Sequence, residues 1–296
     1  MTLRHMKIYL MVYQTENITK AAQLLHMTQP AVSRAIQEIE NYYGIRLFDR
    51  INRRISTTEI GKTFYSYALH IVDSFDQMEK GMRNWDELGI LRVGTTITIG
   101  NALLPKALGI FCREHPDLQI KSTISNSAYI QQSLLDNKLD FALIEGSVDN
   151  EQLCKEIIAT DRLMLIMPPD DPRIHKKSLV LKDFKNDAFL LRENGSAGRT
   201  SLNHIFAVHG ISLIPTMESV STRAIIKAVH EGLGVSFLPE QLVRADIESG
   251  LVATREIADE NFRRDNYIVW HKNKFLTRSA KEMINCFRSL IEEQSA

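Results

Sequence analysis

The chain has 296 residues, 44% of them hydrophobic and 24% charged, which is enough for two or three packed domains and unlike a fibrous or disordered composition. Thirty-six Lys and Arg balance 36 Asp and Glu, so whole-chain charge excludes a polycation or an acidic tail and names no partner. Its distribution says more: residues 1–60 hold eight basic and five acidic side chains (+3), and the remainder holds 28 and 31 (−3), which favours a polyanion partner at the N-terminal end.

Cys112, Cys154 and Cys286 are odd in number and form no CxxC pair, the pattern of reduced thiols in a cytoplasmic protein. His204 and His209 lie five apart, which is not a metal-ligand spacing, and no metal or cofactor is expected. The longest early apolar run, Ile8–Tyr13, is broken by Gln14, Thr15 and Glu16. It is too short for a secretory signal or a membrane span, so the expected location is the cytoplasm, with no membrane partner.

Leu3, Met6, Ile8, Leu10, Met11 and Tyr13 fit one broad face of a first helix. Thr19 is the expected cap of a second, "KAAQLLHM", with Ala21, Ala22, Leu24 and Leu25 inward. Thr28 is the expected cap of a third, where Pro30 falls in the first turn and Val32, Ile36 and Ile39 recur at helical spacing. Two short helices joined by a tight turn, with small Ala residues at the crossing, describe a helix-turn-helix. The opening of the third helix then offers Gln29 for an adenine edge, Arg34 for a guanine edge and Ala31 for a thymine methyl, beside Ser33. An ordinary helical hairpin would share this pattern, but the segment after the third helix argues against it. Gly44 ends the helix, and short β-prone pieces flank "DRINRR". A basic hairpin beside a recognition helix is a wing, and Arg50, Arg53 and Arg54 suit phosphate or minor-groove contact.

These residues resemble the winged helix-turn-helix of LysR-type transcriptional regulators. The family pattern of Ala-Ala, Gln-Pro-Ala-x-Ser and Gly-x-x-Leu-Phe-x-Arg is matched at Ala21, Ala22, Gln29, Pro30, Ala31, Ser33, Gly44, Leu47, Phe48 and Arg50. After the wing the family has Leu-Thr-x-Ala-Gly, whereas Thr57–Gly61 read "TTEIG"; Ile60 in place of Ala implies altered packing.

Phe64, Ala68, Ile71, Phe75, Met78, Met82 and Trp85 alternate in steps of four and three, the 3.5-residue period of a coiled-coil seam. The seam predicts a homodimer, and the resemblance implies the same dimerising linker, with homotetramers common in the family. "GKT" at Gly61–Thr63 is no phosphate loop, because Ser56 stands where the earlier Gly belongs.

From Gly89 onward β-type and helical segments alternate. "ILRVGTT", a helix near Asn101–Glu114, "LQIKSTI", a helix near Tyr129–Leu135 and "DFALIE" form one βαβ series. "LMLIMPP", "AFLLR", a helix near Thr200–His209, "PTMES", a helix near Thr222–Glu231 and "GVSFLP" form a second, and a closing helix near Thr277–Glu292 buries Met283, Phe287, Leu290 and Ile291. Two similar α/β units with mostly parallel strands, joined by crossing strands, describe a hinged receptor with ligand in the cleft. The resemblance covers essentially the whole chain and implies the type 2 periplasmic-binding-protein fold as an effector sensor. The expected architecture is α plus α/β. It comprises a winged helix-turn-helix over 1–58, a dimerisation helix over 59–88 and an effector domain over 89–296, whose subdomains are about 90–161 with 267–296, and about 162–266.

Ligands collect where strands end at helix N-termini. Thr96 and Thr98, then Ser125, Asn126 and Ser127, then Gly195, Ser196, Ala197 and Gly198, and last Ser221 with Thr222 are such places. Each alone is an ordinary cap; four in one cleft make a site that favours a small anion. Arg199 would add charge, and Glu145 at the same edge would repel an anion or bind an amine. "RENGSAGRTS" resembles the Arg-Glu-x-Gly-Ser-Gly-Thr-Arg segment of family members concerned with sulfur or inorganic-carbon metabolism, with Ala197 for the second Gly, Gly198 for the Thr and Arg199 in register. That resemblance implies a sulfur oxyanion or small carboxylate as effector. Thr96 and Thr98 stand where sulfur-responsive members bind an anion, with Ile99 at a place often polar there.

The chain therefore reads as a regulator of promoter DNA, with RNA polymerase as a further partner. The alternative is a solute-binding sensor without direct DNA regulation. No G-x-S-x-G, HExxH, dinucleotide fingerprint or complete nucleotide loop marks an enzyme.

Overall fold

The structure, a computed structural model, describes residues 1–51, 54–83 and 89–295, with backbone alone for 50, 51, 54, 80–83, 294 and 295. It divides into two compact units, Met1–Gly89 with Asn273–Phe275, and Ile90–Lys272 with Leu276–Ala296.

The first unit opens with α1 (Leu3–Thr15), α2 (Ile18–Leu24) and α3 (Gln29–Tyr43), continues through a hairpin of β1 (Phe48–Ile51) and β2 (Arg54–Thr57), and ends in α4 (Glu59–Arg83). Ala21 and Ala22 are buried at the α2–α3 crossing, and α3 packs through Val32, Ala35, Ile36 and Ile39. Two residues absent from the predicted stripe, Tyr9 and Val12, are the most enclosed on α1. The Tyr9 hydroxyl donates to the Gly61 carbonyl at 2.7 Å, and its ring meets Phe64 edge-on at 4.8 Å. Burial pushes the Tyr9 phenol well above its usual pKa. Gly61 must be glycine, since a Cβ there would lie 2.4 Å from the Leu47 carbonyl oxygen.

Several local expectations are corrected. The cap of α2 is Asn17, whose side chain accepts from the Lys20 N–H, and Thr19 lies inside the helix. That helix stops at Leu24 because His26 turns left-handed at φ 53°, so Leu24 is exposed rather than inward. Thr28 does occupy the N-cap of α3, yet its side chain caps nothing. Ile60 is 48% exposed, so its extra bulk meets solvent rather than altering the packing. The seam on α4 divides: Phe64 and Ala68 pack into the first unit's own core, whereas Ile71 and Met78 are exposed. The Met82 side chain and Trp85 lie outside the described residues.

The second unit begins with β3 (Ile90–Thr96), α5 (Ile97–Ala102), α6 (Leu104–Glu114), β4 (Gln119–Ser125), α7 (Ser127–Leu135), β5 (Phe141–Glu145) and the long β6 (Leu153–Ile166). It continues with β7 (Phe189–Arg192), α8 (Ala197–Val208), β8 (Pro215–Ser219), α9 (Thr222–His230), β9 (Ser236–Pro239), α10 (Glu240–Glu248), β10 (Arg263–His271) and α11 (Arg278–Ser295). The predicted single helix over Asn101–Glu114 is two, because the chain turns at Leu103 before α6 starts with Pro105 in its first turn. Six strands form one sheet in the order β4-β3-β5-β10-β6-β9, and β7 pairs with β8 separately.

Parallel pairing, expected for most of the strands, holds for β3 with β4 and β5 and for β7 with β8. β10 pairs antiparallel with both β5 and β6, and β6 antiparallel with β9. These long strands run through both α/β halves, so the connection is a continuous ladder, which tolerates bending but not separation. One core packs α6 and α11 against the sheet through Phe111, Phe141, Met283 and Phe287; a second gathers Phe184, Phe206 and Phe237 in the other half.

Candidate functional site

Two places concentrate polar side chains that face solvent or a cavity, one in each unit. In the first unit, α3 buries one face and leaves Thr28, Gln29, Pro30 and Arg34 exposed, with Ala31 and Ser33 partly so. Among the described residues Arg34 is paired only with Glu38 one turn on, Nε to Oε1 at 3.0 Å, and its side chain is 83% exposed. An exposed pair of this kind is worth under about 1 kcal/mol, so it yields readily to a base edge or phosphate. Gln37, four residues beyond Ser33 and exposed, extends the same outer face; helical spacing alone signals it, and the sequence reading missed it.

The hairpin register pairs Arg50 with Ile55 and Ile51 with Arg54. The side chains of Arg50 and Arg54, and all of Arg53, lie outside the described residues. What ties the hairpin to α3 is Glu40, which accepts from the Leu47 N–H at 2.8 Å and the Phe48 N–H at 3.2 Å. One carboxylate thus fixes the wing's entry against the helix whose amino end is exposed, a latch that sequence spacing did not reveal. Thr58 reinforces it, donating to the Arg46 carbonyl at 2.7 Å.

In the second unit, a small cavity of about 20 Å³ lies where β3, β5 and β7 end. That is room for the centre of little more than one water-sized group. Thr96, Thr98, Asn126, Glu145, Ser196 and Ala197 all line it. Thr96 is 2% exposed and its Oγ1 has no hydrogen-bond partner. Ser196 occupies the N-cap of α8 without capping it, so the first-turn N–H groups of that helix stay open at the cavity wall. Asn126 is already engaged, accepting from the Tyr129 N–H.

The remaining candidates fall elsewhere. Ser125 ends β4 outside the lining, and Ser221 caps α9 by accepting from the Ala224 N–H. Gly195 supplies the left-handed turn (φ 87°) before α8, and its carbonyl accepts from the Ala128 N–H. Arg199 turns away: Nε donates to Asn203, and Nη1 donates to the Arg192 carbonyl and faces Glu218. Ala197 instead constrains its neighbour Gly146, where an added Cβ would come within 2.8 Å of the Ala197 Cβ.

The cations at the cavity are Arg192 and Arg264, both missed; the buried Ser127, named from the sequence, lines it as well. Arg264 donates to Asp161 at 2.6 and 2.7 Å and reaches Glu145 at 3.1 Å. Burial disfavours its charge, but Glu145 and Asp161 outweigh that and hold its pKa above the usual guanidinium value. Glu145 also accepts from the Ile99 N–H at 3.0 Å. It is therefore not the free negative charge expected to repel an anion. Arg192 pairs with Glu193 at 2.8 and 2.9 Å.

A hairpin-flanked helix-turn-helix joined to a hinged α/β sensor defines a ligand-responsive DNA-binding protein. Residues 3–62 match the bacterial regulatory helix-turn-helix protein, lysR family, and residues 86–291 match the LysR substrate binding domain. The chain belongs to the LysR family of transcriptional regulators. It is 26% identical over 297 residues to the RuBisCO operon transcriptional regulator of Allochromatium vinosum, covering 100% of this chain and 97% of the relative. Full-length OxyR from Pseudomonas aeruginosa shares the fold, with a TM-score of 0.63 at 21% identity over 99% and 95% of the two chains. So does the regulatory domain of Synechocystis CcmR in complex with 2-PG, with a TM-score of 0.63 at 20% identity over 69% of this chain and 98% of that one. No described helix is long and apolar enough to cross a membrane.

Proposed function

We propose that this regulator senses a small anion in the cavity at Thr96, Asn126 and Ser196, and that cleft closure around it changes how the winged domain engages promoter DNA. The carrying observation is the buried, unpartnered Thr96 hydroxyl facing an uncapped helix N-terminus in one cavity. Hydroxyls and open N–H groups donate, and donors call for an acceptor-rich ligand. A sulfur oxyanion or small carboxylate meets that demand, and the CcmR complex shows the fold holding 2-PG in a relative. The cavity is too small for more than the head of such a ligand, so the sensing domain opens to admit it.

At the other end, Gln29 and Arg34 choose bases, while Thr28, Ser33 and the wing arginines hold phosphates. The division into 1–58, 59–88 and 89–296 places the reading head, the dimerising helix and the sensor on separate segments. A homodimer or homotetramer reading paired half-sites beside RNA polymerase in the cytoplasm completes the account.

The test is thermal unfolding of the full-length protein with sulfite, sulfate, thiosulfate, bicarbonate, phosphate and small carboxylates. At 100 times its Kd a true effector stabilises by about 2.7 kcal/mol. Thr96→Val should abolish that response. Stabilisation by amines or neutral aromatics alone contradicts the anion reading.

A further inference from the structure

A larger hollow lies in the same unit, on the strands that run through both α/β halves. Its volume is about 630 Å³, within the range of small-molecule sites. Its walls come from both halves: Ile99 and Leu103 beside α5 and Ile291 of α11 on one side, Gln241 and Arg244 of α10 on the other. The floor is β6 and β10, where Asn266 pairs with Ala159 but Tyr267 pairs with Ile157, so Ile158 is an extra, bulged residue. Bulges re-aim side chains and recur beside sites.

Two groups on that floor point to a ligand. Asn266 is 6% exposed, and its Oδ1 is buried without a hydrogen-bond partner, an arrangement that costs about 1–3 kcal/mol unless something meets it. Arg263 is exposed and its side chain makes no ion pair or hydrogen bond with any described residue, whereas neighbouring Arg162 is held by Glu240 and Glu256. The hollow thus offers an apolar wall, a buried acceptor and an uncommitted cation.

We propose that this hollow is a second small-molecule site, separate from the cleft cavity, for an amphipathic carboxylate. The ligand's apolar body lies against Ile99, Leu103 and Ile291, an N–H or O–H donates to Asn266 Oδ1, and its carboxylate meets Arg263. Asp161 borders the hollow and also grips Arg264, which lines the cleft cavity, so an occupant here touches the residue that positions a cleft cation.

The test is calorimetric titration of the full-length protein with three probes of that chemistry: indole-3-acetate, 4-hydroxyphenylacetate and N-acetyl-leucine. At least one should bind saturably, one per chain. Arg263→Gln, an exposed change that does not threaten folding, should weaken it tenfold or more, as should Asn266→Leu. Thr96→Val should leave it unchanged. No saturable binding by any probe overturns the proposal, as does binding indifferent to Arg263→Gln or lost in Thr96→Val. Because the cleft variant and the hollow variants are read separately, failure here is distinguishable from failure of the anion reading.

Discussion

Replacing Arg264 with methionine is expected to destabilise the sensing domain by about 3–5 kcal/mol, the cost of leaving buried carboxylates without their partner. At roughly 2–4 °C per kcal/mol for a domain of this size, scanning calorimetry should show its transition lowered by about 6–20 °C. The reason lies in geometry. Arg264, Asp161 and Glu145 are each 4–7% exposed at the side chain, and the guanidinium is the only cation paired with either carboxylate among the described residues. The triad ties β10 to β6 and, through Glu145, to the start of α5 behind the cavity. Adding Glu145→Gln and Asp161→Asn should restore much of the stability, because the uncompensated charges are then gone. A transition unmoved by Arg264→Met would mean that water reaches the triad and the closed cavity is not the native arrangement.

The second large effect is expected in the other unit. Glu40→Ala removes the acceptor for two backbone N–H groups at the base of the wing, and hydrogen bonds to a charged group contribute about 1.5–3 kcal/mol each. The loss should be about 3 kcal/mol in stability of the winged domain. In a mobility-shift assay the freed wing should weaken specific and non-specific DNA alike, the outcome expected from the proposed role of its arginines in holding phosphates. Glu40→Gln, which keeps one acceptor oxygen, should fall between. If Glu40→Ala bound DNA as tightly as the wild type, the wing would not contribute to the interface.

The parts of this molecule legible in its sequence are those set by near neighbours. Pro30 in a first turn, Gly44 at a left-handed C-cap (φ 67°) and the paired alanines at 21 and 22 are decided within a few residues, and each stands as read. Thr96, Asn126 and Ser196 were legible for the same reason, since small polar residues between a strand and a helix mark N-caps. Arg192 and Arg264 were not. They reach the cavity because β7 and β10 pair with distant strands, and no local pattern distinguishes them from solvent-facing arginines. Arg199 shows the converse: its register in a family-like segment pointed to the site, yet Asn203, Glu218 and a backbone carbonyl draw it away. The seam on α4 misled in part because one 3.5-residue period serves both packing within a domain and pairing between chains. Phe64 and Ala68 take the first role.

If the amino end of α3 reads base pairs, Gln29→Ala removes one of its two base-choosing side chains and nothing that holds the fold. The measurement is the affinity of full-length wild type and variant for an operator duplex from its own upstream region and for a scrambled duplex, at one salt concentration. The expected result is a loss of about 1–3 kcal/mol on the operator and almost none on the scrambled DNA. Equal losses on both duplexes, or no loss on either, would contradict it.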